Sequence, residues 1–218
     1  MADKRPGGDL VLIPAQHFIA ANKSYLQDPS FSDFIIRTAS GNAYRVHRNI
    51  ISSHSNYFAK LCRGDFKEST AGEVTLHDDP PEAVKLMIDF FYTFDYKVPG
   101  SAISGLPDLE VYAMVFILAD KYEIPDLKAH AFHCFEYDGT EAIGNIGDEA
   151  SEMFLAVVPY IYTHVLPHDH SLRQALIGLW CQDHHLAAKN LHRGEWEGLV
   201  ERYPAFGSDM IVGSLGKG

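Results

Sequence analysis

Residues that could do chemistry are concentrated in one stretch of twenty residues, from Ala43 to Cys62, which reads AYRVHRNIISSHSNYFAKLC. The stretch holds two histidines, three serines and a cysteine. A nucleophile needs a positioned base, and a zinc site needs three or four convergent ligands. His47 and His54 lie on either side of a predicted strand-to-helix boundary, so they need not share a face. Neither requirement is met locally, and we predict that His47 has a structural role, as an unclustered histidine usually does.

A second set of candidates lies in the C-terminal half, which contains His164, His168, His170, His184, His185 and His192. Mixtures of imidazole and carboxylate suit zinc, but the first three histidines surround Pro167 in a predicted loop, where solvated histidines are ordinary. Cys181 and His184 are three apart on a predicted helix and could touch, but no third orienting group is identifiable. We therefore predict no catalytic residue, no metal site and no cofactor. A metal- or thiol-dependent enzyme in this half is the least favoured interpretation.

The net charge of −11 restricts the classes of partner. Binding to nucleic acid or to an anionic membrane needs a dense positive surface, so we predict neither. An odd number of well-separated cysteines fits a reducing compartment, and no uninterrupted apolar run approaches 18 residues. These properties predict an intracellular protein of the cytoplasm or nucleus.

The elements that must position these residues follow from the hydrophobic pattern. DFIIRT and AYRVH alternate around the turn residues ASGN, which predicts a β-hairpin with Gly41 in the turn. The apolar spacing after Arg48 predicts two short helices, the second capped by Ser53 or Ser55. EVTLH predicts a third strand. In the next helix Asp79 is the predicted cap, with Pro80 at the first helical position.

The remaining segments are predicted to be helical. A helix apolar on nearly every side begins at Asp108, and another begins at Pro125. The glycine-containing segment DGTEAIGNIGDEAS predicts a linker. Beyond it we expect a helix that is kinked or broken near Pro159, a helix over SLRQALIGLWCQDHHLAAKN, and a third over GEWEGLVERY.

The motifs SDF, VHRNIISSHSNYF, FFYT and LADKYEIPDLK occur in an order that resembles a BTB/POZ domain. The resemblance implies an α+β fold, a short-stranded sheet covered by helices, over residues 31–136. Residues 1–30 would then be an N-terminal tail and residues 137–150 a linker. Residues 151–218 look like the all-α extension of filamentous-fungal BTB proteins. The resemblance implies a non-enzymatic protein–protein interaction module, a scaffold or regulator that self-associates as a homodimer.

The resemblance also implies particular site residues. In dimeric BTB transcription regulators, positions matching Asp33 and Arg48 form a charged pocket near the dimer groove. The alternative for this pair is an ordinary intramolecular ion pair or helix cap. The expected homodimer contacts lie at the start of the domain and in the first helices, at Phe31, Phe34, Ile36 and Ile51.

A second kind of partner is a cullin ubiquitin-ligase scaffold, for which such a protein would act as substrate adaptor. BTB proteins of that kind often carry a hydrophobic-x-Glu pattern just before the F-x-Y-T motif. Here that position reads Val84-Lys85-Leu86, so Leu86 replaces the glutamate and weakens the adaptor interpretation. Tyr92 stays a candidate for the contact surface together with Val84 and Leu86, and a helix-end packing role is its alternative.

Overall fold

A computed structural model describes residues 8–64, 67–98, 108–145, 148–166, 169–182 and 193–215. The chain forms two structural units: an N-terminal unit of residues 1–97 with 121–127, and a C-terminal unit of residues 98–120 with 128–218. Within the described ranges, no helix has both the length and the apolar character needed to span a membrane.

The N-terminal unit contains a small sheet and five helices among its described residues up to residue 97. Its elements are α1 Gly8–Gln27, β1 Phe34–Thr38, β2 Ala43–Val46, α2 Arg48–His54, α3 Asn56–Arg63, α4 Lys67–Ala71, β3 Glu73–Leu76 and α5 Pro81–Thr93. β1 is central, antiparallel to β2 and parallel to β3. The predicted hairpin and third strand are confirmed. Gly41 has a φ of +89° in the turn, a conformation that glycine adopts without steric cost.

The N-terminal segment is more helical than the sequence pattern indicates. We expected a tail with a helical turn over residues 1–30, whereas α1 is a 20-residue helix. Isolated helices are marginal in water, and most helical stability in proteins comes from packing. α1 packs against α5, so its stability depends on a contact that is distant in the sequence.

One of the two predicted helix caps is confirmed and the other is wrong. Ser55 caps α3: its hydroxyl accepts a hydrogen bond from the N–H of Phe58 at 3.0 Å. Asp79 does not cap α5, which begins at Pro81 with Pro80 at the cap position. The carboxylate of Asp79 instead binds Lys121 and Tyr122, at the end of α6 and directly after it.

The described helices of the C-terminal unit are α6 Asp108–Lys121, α7 Pro125–Asn145, α8 Asp148–His164, α9 Ser171–Gln182, α10 Arg193–Arg202 and α11 Pro204–Leu215. The last residue of α6 and the first three residues of α7 belong to the N-terminal unit, which includes residues 121–127. The predicted starts at Asp108 and Pro125 are confirmed. Most described side chains of α6 are buried, as its apolar character predicts.

Three features of this unit differ from the sequence pattern. α7 extends to Asn145 and α8 begins at Asp148, so helix replaces most of the expected linker, while the domain boundaries stay a prediction. α8 continues through Pro159 instead of breaking there, and it packs against α9, α10 and α11. α11 was not predicted at all. The expected continuation of α9 beyond Gln182 lies outside the described residues.

Candidate functional site

Asp33 lies directly before β1 and caps α2 from outside that helix. The N–H of Asp33 donates to the carbonyl of Val46 at 3.2 Å, so the hairpin fixes its position beside the start of α2. Asp33 Oδ1 accepts a hydrogen bond from the backbone N–H of Arg48 at 2.8 Å. A carboxylate at this end of a helix satisfies an otherwise unpaired amide and interacts favourably with the helix dipole.

The guanidinium group of Arg48 binds backbone carbonyls from three parts of the N-terminal unit. Nε donates to the carbonyl of Asp33 at 3.2 Å, Nη1 to that of Cys62 at 3.0 Å, and Nη2 to that of Ser69 at 2.8 Å. The guanidinium carbon lies 4.8 Å from the ring centroid of Phe34. Of the two interpretations of this pair, the geometry within one chain is that of a helix cap and a cross-link. The charged pocket beside a dimer groove stays a prediction.

His47 is buried in a hydrogen-bonded network with Tyr92. The Tyr92 hydroxyl accepts from the N–H of His47 at 3.0 Å and lies 2.8 Å from its Nδ1. Nε2 lies 3.2 Å from the carbonyl of Ser30. One tautomer satisfies all three contacts: Nε2–H donates to Ser30, and Tyr92 O–H donates to Nδ1. His47 is 7% exposed, so the structure places it in the scaffold, as predicted.

Burial raises the pKa of Tyr92 to about 12. The hydrogen bond from the His47 N–H opposes this rise, and the nearby carboxylate of Asp33 adds to it. The phenol therefore stays protonated at neutral pH and can serve both hydrogen-bonding roles in the network.

Phe31 is the most exposed large apolar side chain at this end of the unit. A turn closed by the Ser32 N–H donating to the carbonyl of Pro29 at 3.0 Å holds Phe31 at a φ of +67°. The side chain is 89% exposed. The ring of Tyr25, 43% exposed, lies 5.5 Å from the ring of His47. Tyr25 therefore adds a partly exposed aromatic ring of α1 beside the His47 network.

The other expected dimer contacts are core residues. Phe34, Ile36 and Ile51 are at most 2% exposed. They fill the space between the sheet and the helices, which leaves Phe31 as the member of the set that can reach a second molecule directly.

The sequence model of the BTB/POZ domain family matches residues 21–138, more than half of the chain. The chain belongs to the BTB/POZ family. BTB domains are protein–protein interaction modules rather than enzymes. The matched range begins before the predicted start at residue 31, so it takes in the end of α1.

Curated relatives include Kelch-like protein 21 of Rattus norvegicus, Bos taurus and Homo sapiens. Each is 36% identical over 70 residues, which is 32% of this chain and 12% of the relative. Among solved structures, the BTB domain of human Gigaxonin is 17% identical with a TM-score of 0.42, covering 60% of this chain and 93% of that one. The BTB domain of zebrafish PATZ1 is 16% identical with a TM-score of 0.45, covering 63% and 99%.

The residues expected to contact a cullin are buried within the BTB domain. Val84 and Tyr92 have no exposed surface, and Leu86 is 3% exposed. Lys85 between them is exposed and forms an ion pair with Asp89 at 2.6 Å. The leucine at the position of the adaptor glutamate therefore faces the core. Tyr92 is packed within the chain, while a part of these residues in a cullin contact stays a prediction.

The histidines of the C-terminal half are only partly described. His168, His184, His185 and His192 lie outside the described residues. His164 stacks on the ring of Tyr160 and its Nδ1 lies 3.0 Å from the carbonyl of that residue. Over the described ranges, no group of three or more histidine, cysteine, aspartate or glutamate residues is arranged to hold a metal ion.

Sequence reasoning missed a buried network around Asp79. Lys121 Nζ donates to both carboxylate oxygens, at 2.8 and 3.0 Å, and the hydroxyl of Tyr122 donates to Oδ2 at 2.5 Å. Burial, together with this hydrogen bond, raises the pKa of Tyr122. Ser55 Oγ donates to the carbonyl of Tyr122 at 2.6 Å and so ties α3 to the same segment. No local pattern reveals a contact between residues more than forty positions apart.

Proposed function

We propose that this BTB protein is a self-associating scaffold or regulator, and that its homodimer contact includes Phe31. The observation that supports this is an aromatic side chain that is 89% exposed on backbone at positive φ. Positive φ is unfavourable for a bulky residue, so a turn that holds a phenyl ring in solvent needs a compensating interaction. Burial of the ring against a second molecule supplies one.

Two further properties support the proposal. Phe18, 59% exposed, and Tyr25, 43% exposed, add aromatic surface on α1, and aromatic side chains are enriched in protein interfaces. Each chain carries a net charge of −11, so two copies repel one another at long range. An apolar contact is the kind of interface that can overcome that repulsion.

The test compares two phenylalanines of the N-terminal unit that share an unusual backbone. Phe31 and Phe94 both have positive φ, at +67° and +56°. Asparagine tolerates this conformation, so Phe31→Asn and Phe94→Asn remove the ring without a new backbone cost. Phe94 is 44% exposed, and its ring packs on His54 at 5.0 Å. Sedimentation equilibrium of the full chain gives the dimer dissociation constant of each variant.

We expect Phe31→Asn to raise the dissociation constant about tenfold or more, since burying even half of a phenyl ring contributes about 1–2 kcal/mol. Phe94→Asn should leave it within about twofold. A monomeric wild-type chain at all concentrations would reject self-association. Equal effects of the two substitutions would reject Phe31 as the contact.

A second proposal is that the chain is a substrate adaptor of a cullin ubiquitin ligase. The similarity to Kelch-like protein 21 supports it, whereas the buried Leu86 at the adaptor position does not. The test is size-exclusion chromatography with a purified cullin N-terminal domain, where co-elution supports the adaptor role and separate elution rejects it.

Two lysines would locate such a contact. Lys85 on α5 and Lys60 on α3 are both exposed and both paired with an acid, Asp89 and Glu123. If α5 forms the contact, Lys85→Ala should weaken the complex and Lys60→Ala should not.

A further inference from the structure

A cavity of about 280 Å³ lies between α9 and α11 of the C-terminal unit. The described residues that line it include His170, Arg173, Ile177, Gly178, Asp209 and Val212. The two helices approach closely at Gly213, where a Cβ atom would come within 2.3 Å of the side chain of Ile177. That close approach fixes one side of the cavity with backbone and a branched aliphatic side chain.

Arg173 brings an unsatisfied hydrogen-bond donor to this cavity. Its Nε is buried and makes no hydrogen bond to any described residue. The guanidinium carbon lies 4.8 Å from the ring centroid of Tyr162, so the group is held in place by stacking. Buried donors are almost always paired in folded proteins, so an unpaired Nε marks a guanidinium group that the described residues do not fully satisfy. Because Nε itself is closed to solvent, the terminal Nη groups are the donors that can reach an anion in the cavity.

The acidic residue of the lining is already engaged. Asp209 Oδ2 accepts a hydrogen bond from the hydroxyl of Tyr162 at 2.7 Å. Because Asp209 and Arg173 contact the same tyrosine, a ligand's anionic group would bind the guanidinium group on the face turned away from that carboxylate. The side chains of Ile177 and Val212 offer aliphatic surface to the remainder of the ligand.

We propose that this cavity binds an aliphatic carboxylate, with Arg173 as its anion-binding residue. Guanidinium groups bind carboxylates with charge-assisted, often paired hydrogen bonds. A cavity at the lower limit of typical ligand pockets fits a short branched chain better than a large ligand. The carboxylate can come from a free acid or from the C-terminus of a partner protein that ends in an aliphatic residue.

The test uses probes that separate these two sources. 4-Methylpentanoate represents the free acid, and a pentapeptide ending in leucine with a free carboxylate represents the C-terminus. Their amides, 4-methylpentanamide and the C-terminally amidated peptide, keep the shape and lose the charge. Binding to the full chain is followed by NMR titration of its backbone amides.

Two pairs of variants provide matched controls. Arg173→Met keeps the length of the side chain and removes its charge, and Arg202→Met does the same for an exposed arginine that stacks on Tyr203 outside the cavity. Gly178→Leu fills the cavity, while Gly198→Leu on α10 places the same side chain elsewhere. A Cβ atom meets nothing within 4 Å at either glycine, and both substitutions favour helix, so folding should be retained.

We expect saturable binding of at least one carboxylate probe, with its amide about tenfold weaker or more. Arg173→Met and Gly178→Leu should each weaken binding about tenfold or more, and their controls should not change it. Tighter binding of the peptide would indicate a partner's C-terminus, and tighter binding of 4-methylpentanoate a free acid. Absence of saturation by both probes, equal binding of acid and amide, or an effect of the control variants as large as that of the cavity variants would overturn the proposal.

Discussion

Arg48 of the N-terminal unit and Arg173 of the C-terminal unit stack on aromatic rings at the same distance, 4.8 Å from the guanidinium carbon to the ring centroid. Their hydrogen bonding differs. The guanidinium group of Arg48 donates to three backbone carbonyls, whereas Nε of Arg173 is buried without a partner among the described residues. The ring contact therefore does not reveal what an arginine does. Whether the donors are satisfied within the chain separates a structural cross-link from a group that awaits a ligand.

The largest expected effect on stability comes from replacing Arg48, and replacing Arg173 is its comparison. Arg48→Met deprives the carbonyls of Asp33, Cys62 and Ser69 of a charged donor, so we expect the free energy of unfolding to fall by about 3 kcal/mol. Arg173→Met removes a donor that has no partner to lose, so we expect a change of less than about 0.5 kcal/mol in either direction. Urea denaturation at one fixed protein concentration measures both, because the proposed self-association would make stability concentration-dependent.

Arg202→Met, at an exposed arginine, sets the baseline for the loss of a stacked surface cation. If Arg173→Met destabilises the chain as much as Arg48→Met, then Arg173 is a structural residue as well. In that case the two arginines do not differ in role, and the main argument for the carboxylate site is lost.

One tyrosine in each unit extends the comparison between the two arginines. Tyr92→Phe leaves the buried N–H and Nδ1 of His47 without a partner, and we expect a loss of about 2 kcal/mol. Tyr162→Phe removes a donor to Asp209, whose carboxylate is only partly buried and can be hydrated, so we expect about 1 kcal/mol. Thermal and urea denaturation of both variants check the order. The reverse order would show that the His47 network is less important for stability than its burial indicates.

Tyr92 also predicts a pH dependence. An unfolded phenol loses its proton near pH 10, whereas burial raises the pKa of folded Tyr92 to about 12. Between these values the folded state binds more protons than the unfolded state, so the free energy of unfolding falls as the pH rises. We expect Tyr92→Phe to make this fall shallower, by at most about 1.4 kcal/mol per pH unit. If the free energy of unfolding falls equally steeply with pH in the variant and the wild-type chain, the pKa of Tyr92 is not raised in the folded state.

Local sequence patterns predicted much of the N-terminal unit because the information there is local. Alternating residues around Gly41 specify a hairpin, and Ser55 caps the helix that follows it. α1 and the carboxylate of Asp79 were predicted incorrectly because their partners are distant in the sequence: α5 for α1, and Lys121 and Tyr122 for Asp79. A cap, a turn or a periodic face can be read from neighbouring residues, whereas a competing long-range partner cannot.

The candidate site divides in the same way. The motifs predicted correctly that His47 has a structural role, but not which of the apolar candidates would remain on the surface. Phe31 and Phe34 have the same side chain three positions apart, yet one is 89% exposed and the other 2%. The turn that ends before β1 decides this, because it places Phe31 outside the alternation that buries Phe34. The unpaired Nε of Arg173 has no sequence signature, because it results from the absence of a hydrogen-bond acceptor on the surrounding described helices.

The smallest expected effect tests whether the charge of Asp33 serves the cap or an interface. Asp33→Ala removes the acceptor for the Arg48 N–H, and we expect a loss of about 1 kcal/mol in unfolding free energy. Asp33→Asn keeps an oxygen in the same position and should cost only a few tenths of a kcal/mol, because asparagine caps nearly as well as aspartate. Urea denaturation distinguishes the two variants.

Sedimentation equilibrium on the same pair then separates the two interpretations of Asp33 and Arg48. If the carboxylate is only a helix cap, Asp33→Asn leaves the dimer dissociation constant unchanged, because the cap survives. If the charge also contributes to a pocket at the dimer groove, Asp33→Asn weakens self-association while stability is nearly retained, since the hydrogen-bond geometry is kept and the charge is lost. The asparagine variant separates the roles because it changes charge and almost nothing else.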